Sequence, residues 1–184
     1  MPALEDLRPN LQIAEAHLPE EIQLPAHYFV FHPYASQKNK EWMYWEELFK
    51  KLQARDINVV VIGRSETSLD IAGTTDLTNK TNLSQTQSIV AKAACLITTD
   101  SGPLHIAVGL NRPTIAIFGP TTRELGFYPS FANVVVVENT ELSCRPCHVH
   151  GGQTCPKTHF KCMTDISEDH VLMAVDSLSP QLSP

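Results

Sequence analysis

No apolar stretch in the 184 residues runs past five. A membrane-spanning helix needs about 20 such residues, so none is expected. Residues 1–25 also lack the basic-then-apolar order of a signal segment, and neither export nor insertion is expected. Positive charge is scarce: 14 Lys and Arg stand against 20 Asp and Glu, a formal net charge of −6. That balance excludes a broad electrostatic attraction to nucleic acid or anionic lipid. Internal repeats are absent, and the only biased tract is a Ser/Pro-rich tail after Asp176, which excludes solenoid and fibrous classes. What is present is a 42% hydrophobic content in a chain long enough for one domain with a full core.

Residues 1–27 are polar and punctuated by proline, and read as a linker or arm. From Tyr28 the pattern alternates: strand Tyr28–His32, helix Glu41–Ala54, strand Ile57–Ile62, helix Ser84–Ala94, strand Cys95–Thr98, helix Pro103–Leu110, strand Thr114–Phe118. Strands alternating with helices predict a parallel sheet with helices on both faces. Continuous runs such as Ile115–Phe118 and Val134–Val137 suit strands covered on both sides, and ligands of such sheets sit outside the carboxyl ends of the strands. The domain is expected over residues 28–176, with a tail at 177–184.

The most informative stretch follows the apolar run Cys95–Thr98. Asp100-Ser101-Gly102 ends the strand, and Pro103 stands where the first helical residue belongs, since its missing N–H is not needed there. Backbone donors and the positive end of a helix dipole then lie beside Ser101 and Gly102, a setting that favours phosphate. Asp100 can equally serve as a plain turn former or N-cap. His105 in the first helical turn can point toward the same anion. Lys40 reads as a solvated helix-start lysine on composition; its place after the first strand, with Ser36, lets it face the Asp100 loop and bring a charge to a diphosphate. Trp42 reads as core. Phe118-Gly119-Pro120-Thr121 ends a strand beside the same crevice.

Asp100-Ser101-Gly102-Pro103-Leu104-His105-Ile106-Ala107, with Arg112-Pro113 and Phe118-Gly119-Pro120-Thr121, resembles the donor-binding half of the heptosyltransferase-like glycosyltransferases, family 9. His32-Pro33-Tyr34-Ala35-Ser36, Val59–Gly63 and Leu77–Leu83 match in the same order, so the resemblance covers about Tyr28 to Val175. It implies a Rossmann-like α/β domain, one half of a GT-B enzyme. It implies that Asp100 meets sugar hydroxyls, that Ser101, Gly102 and His105 hold the diphosphate or sugar, that Ser36 and Lys40 assist them, and that Thr121 lies near the sugar. Glu66 would meet the ribose and Thr81 the base. Only about a dozen residues separate Gly63 from Asp76, where the family carries a further helix, so that helix is expected to be shortened or lost.

The second distinctive feature is Cys144-x2-Cys147-x7-Cys155-x6-Cys162. Such a knuckle followed by two thiols can enclose a tetrahedral zinc or single iron, or can pack a loop-rich flap as reduced thiols. Family relatives carry a similar Cys-x-Pro-Cys segment here. Cys95, in a strand, reads as core.

The resemblance implies an inverting transfer of heptose, or a similar sugar, from a nucleotide-sugar, ADP-heptose being the family's donor, to a lipopolysaccharide-type acceptor. No cofactor is required for transfer, and the general base is expected in an N-terminal acceptor domain or partner subunit, not in these residues. The expected location is the cytoplasm, or the inner face of the bacterial inner membrane. The alternative is a non-catalytic nucleotide-sugar-binding or metal-stabilised interaction module; an epimerase of the same architecture would need catalytic acids that are not evident.

Overall fold

The computed structural model describes residues 9–13, 18–179 and 182. Six parallel strands form one sheet: β1 Tyr28–His32, β2 Asn58–Val61, β3 Thr75–Asp76, β4 Cys95–Thr99, β5 Thr114–Phe118 and β6 Val134–Glu138. Their spatial order is β3-β2-β1-β4-β5-β6, each neighbouring pair parallel. The direction of winding reverses between β1 and β4, and that is where ligands of doubly wound sheets bind.

Side chains alternate across this sheet because strand periodicity is two. Phe29, Phe31, Val59, Val61, Ile97, Ile115 and Ile117 enter one core cluster, closed by α1 (Trp45–Gln53) and α5 (Glu168–Leu178). Tyr28, Val30, Val60, Ile62 and Leu96 enter the opposite cluster beneath α2 (Leu83–Lys92) and α3 (Gly102–Gly109). In α1 the buried Trp45, Leu48, Phe49 and Leu52 follow the i, i+3, i+4, i+7 spacing of one helix face. Asn82 starts α2 with a capping box: its carboxamide oxygen accepts from Gln85 N at 2.9 Å, and Gln85 accepts from Asn82 N at 3.0 Å.

Three features depart from the sequence reading. The first helix begins at Trp45, not Glu41, and Lys38–Lys40 form a separate 3-10 turn. The cause is non-local: Trp42 Nε1 donates to Ile166 O at 2.7 Å and Lys40 is drawn inward to Asp100, so 41–44 cannot wind as solvated helix. A short helix, α4 (Lys161–Thr164), and then α5 follow the Cys-rich segment. α5 continues to Leu178, and Leu182 packs against the first core cluster. Residues 62–74, as expected, carry no helix. Within the arm, Leu18, Ile22 and Leu24 pack on the second cluster, and Leu11 N donates to Gly109 O at 2.8 Å.

Candidate functional site

Asp100 follows the last residue of β4, and its carboxylate is the centre of a buried cluster. Lys40 Nζ donates to Asp100 Oδ2 at 2.6 Å, and Thr121 Oγ1 donates to the same oxygen at 2.7 Å. Lys40 is 8% exposed, Asp100 7% and Thr121 1%. The solvated-lysine reading of Lys40 therefore fails. A buried ammonium persists only against a well-placed carboxylate, and three separate strand exits, after β1, β4 and β5, supply the parts.

Beside this cluster opens a cleft of about 610 Å³ over the carboxyl ends of β1, β2 and β4. Its walls include Ser36, Thr81, Ser101 and Gly102 from the sequence prediction. Ser101 is the N-cap of α3 and makes no side-chain cap, its hydroxyl being engaged instead with His32 Nδ1 at 3.0 Å and Thr98 Oγ1 at 3.0 Å. The N-terminus of α3 thus faces the cleft uncapped by side chains, and α2 begins on the opposite wall with Asn82 and Leu83. The uncapped end of α3 favours an anion, whereas the start of α2 is capped by Asn82. Gly63 closes the floor at φ +126°, where a Cβ would fall 2.6 Å from Tyr34 Cδ2 and 3.0 Å from His32; only glycine fits.

Several wall residues went unrecognised in the sequence. His32 ends β1, is 8% exposed, and is held by burial down to about 4 from 6.5; it is a neutral imidazole at pH 7. Arg64, Tyr34, Asn82 and Thr86 also line the cleft. Arg64 and Asn82 carried a signal, since each lies one or two residues past a strand exit or before a helix start. His32 carried little, because a histidine closing an apolar strand looks like core. Two predicted residues lie elsewhere: Glu66 and His105 are exposed and outside the cleft walls.

The Cys-rich segment forms a flap against the buried cluster. Gly152 N donates to Asn39 Oδ1 at 2.7 Å, Asn39 N donates to Gly152 O at 3.0 Å, and Cys147 N donates to Pro120 O at 3.2 Å. Cys144, Cys147 and Cys155 line one pocket of about 240 Å³, and Cys162 on α4 is buried. Burial and the neighbouring Cys147 push the Cys162 thiol up to about 11. Burial alone would also raise Cys155, but backbone N–H groups of Phe160, Lys157, His159 and Thr158 hold it below the ordinary thiol value. Even so, among the described residues no three His, Cys, Asp or Glu side chains stand in metal-ligand geometry. The thiols are free.

Residues 2–159 match the sequence pattern of glycosyltransferase family 9 (heptosyltransferase). The chain belongs to that family. Among curated relatives, lipooligosaccharide heptosyltransferase 2 of Campylobacter jejuni is 36% identical over 106 residues, 56% of this chain and 32% of the relative. Among solved structures, E. coli ADP-heptose lps heptosyltransferase II superposes with a TM-score of 0.70 at 22% identity, covering 94% of this chain and 54% of that one. TibC of enterotoxigenic E. coli, an iron-containing dodecameric heptosyltransferase solved with ADP-D-beta-D-heptose, gives 0.71 at 19% identity over 88% of this chain and 47% of that one. The chain thus covers about a third of that curated relative and about half of each of these solved structures. The shared region carries the parallel sheet and the strand-exit motifs of the cleft.

Proposed function

We propose that this chain is the donor-binding half of an inverting heptosyltransferase, holding ADP-heptose or a similar nucleotide-sugar for transfer to a lipopolysaccharide-type acceptor. The observation that carries the reading is the convergence of Lys40, Asp100, Thr121 and the uncapped start of α3 at the sheet's switch point. In this scheme the diphosphate lies on the α3 N-terminus near Lys40, where backbone dipoles and a buried cation stabilise the charge that develops on the leaving group. Asp100 accepts sugar hydroxyls, and the cleft between α2 and α3 takes the nucleoside. The acceptor and the general base that deprotonates its hydroxyl are contributed by an N-terminal domain or partner subunit. Among the described residues no helix is long and apolar enough to cross a membrane, and the proposed location is the cytoplasm, reaching the inner face of the inner membrane through the acceptor.

Calorimetric titration with ADP, UDP, GDP and CDP tests this. Preferential ADP binding is expected, weakened at least ~10-fold by Lys40→Ala through loss of a charge-assisted phosphate contact, and less by His105→Ala, whose side chain is exposed. No nucleotide binding by folded protein would overturn the reading.

For the flap we propose a structural zinc or iron held by Cys144, Cys147, Cys155 and Cys162 after closure of the thiols. Its support is the gathering of Cys144, Cys147 and Cys155 around one pocket and the iron content of TibC. The transfer chemistry proposed above needs no metal. Elemental analysis of protein purified without added metal should give one zinc or iron per chain, lost in Cys155→Ser; metal-free protein with four titratable flap thiols would reject it.

A further inference from the structure

Arg145 is the least expected residue in the fold. It lies between two flap cysteines, in a segment of loops, yet its side chain is 3% exposed. A guanidinium has five donors and no means of shedding its charge, so its burial demands partners in every direction. They are present. Nε donates to Gly119 O, Nη1 to Asn139 O at 2.6 Å, and Nη2 to Thr121 O at 2.9 Å and to Glu138 Oε2 at 2.6 Å. The ladder between β5 and β6 ends at the pair Phe118 and Glu138. Beyond it the carbonyls of Gly119 and Thr121 have no strand to bond, and Arg145 takes that place.

The turn so held carries Thr121, whose hydroxyl reaches Asp100 Oδ2. Lys40 reaches the same oxygen, and among the described residues Asp100 Oδ1 accepts no hydrogen bond. One carboxylate oxygen is therefore tied down from two sides while the other is left for a ligand. The tie from Thr121 is only as good as the placement of its turn, and Arg145 holds that turn at both ends, with Cys147 N on the Pro120 carbonyl between them.

We propose that Arg145 is a positioning residue for the donor sugar: through the Thr121 turn it fixes the Asp100 carboxylate so that Oδ1 is presented to a sugar hydroxyl. The proposal rests on the donor-site reading above and deepens it, since it assigns the flap a part in reading the sugar and not the nucleotide. The diphosphate and nucleoside contacts come from α3, Lys40 and the cleft, none of which Arg145 touches.

The test is calorimetric binding of ADP-heptose and of ADP to the full chain and to Arg145→Lys, Arg145→Gln, Thr121→Val and the Arg145→Lys/Thr121→Val pair. Lysine keeps the charge against Glu138 but cannot span the three carbonyls. Glutamine serves as the second probe, and whichever of the two melts as a folded protein is scored. ADP-heptose affinity is expected to fall about 10-fold, the value of one hydrogen bond to a charged group, with ADP affinity changed less than about 2-fold. The double variant should be no weaker than the single ones, because both remove the same tie. A merely structural role would weaken both ligands alike, or add to Thr121→Val, and either result overturns the proposal, as does an Arg145 variant that binds ADP-heptose like the wild type. Wild-type protein that binds neither ligand would instead remove the donor-site reading, and this inference with it.

Discussion

Asp100→Ala is expected to destabilise the protein by about 3–5 kcal/mol, because it leaves a buried ammonium with no compensating charge. Among the described residues Lys40 Nζ makes a single hydrogen bond, to Asp100, and at 8% exposure it has little water to replace it. Lys40→Met should cost less. Its partner Asp100 keeps the Thr121 hydroxyl and sits one residue before the N-cap of α3, where the helix dipole favours a negative charge. Asp100→Asn preserves shape while removing the charge, and should fall between them. Urea unfolding at pH 7.5 orders the three variants, and the asymmetry between the two partners is the signature of burial. If Asp100→Ala cost less than about 1 kcal/mol, the range of exposed pairs, Lys40 would have to be solvated and the pair would not be the core of the site. A diphosphate bound beside Lys40 supplies a new counter-charge, so added ADP should stabilise Asp100→Ala more than it stabilises the wild type.

The difference between what was legible in the sequence and what was not follows the range of the interactions. The strands were legible because β1, β2, β4 and β5 are each built on a short apolar run buried on both faces: Tyr28–Phe31, Val59–Val61, Cys95–Ile97 and Ile115–Phe118. The start of α3 was legible because Ser101, Gly102 and Pro103 encode a helix entry in three residues. Lys40 reads locally as a solvated helix-start lysine, because local pattern sees only a lysine before Glu41 and Trp42, while its conformation is decided by Asp100 sixty residues away. Arg145 was invisible for the same reason, since its carbonyl partners belong to the exit of β5 and to the residue after β6. α5 was different, since a local signal existed. Ser167 caps His170 N, and Val171, Ala174, Val175 and Leu178 repeat at helical spacing; the polar, serine-rich surroundings masked them. His105 rests on its place in the first helical turn and Glu66 on the family resemblance, and the fold leaves both exposed.

Acid should weaken the fold well before its carboxylates titrate, and His32 is the reason. Burial lowers its imidazole from 6.5 to about 4, so between those values the unfolded chain binds a proton that the folded one refuses. Stability contributed by the neutral ring is complete above pH 6.5, declines as pH falls below it, and is fully lost near pH 4. Over the fall from pH 7.5 to 5 the loss is about 2 kcal/mol. Asp76, Glu124, Glu168 and Asp176 are all held below their ordinary values, so their contributions decline only below this range, as pH approaches those of the unfolded carboxylates. Urea titrations at pH 7.5, 6.5, 5.5 and 5 isolate the histidine, and His32→Gln should flatten the profile, since an amide keeps the polar contact with Ser101 but takes no proton. A wild-type profile already flat to pH 5 would mean that the ring is charged or open to water in the folded state. Because Nδ1 lies 3.0 Å from Ser101 Oγ in the wall of the cleft, a diphosphate held there as proposed would favour the charged ring. Saturating ADP should therefore reduce the acid sensitivity in the wild type and leave His32→Gln unchanged, which ties the titrating group to the ligand and not to the core at large.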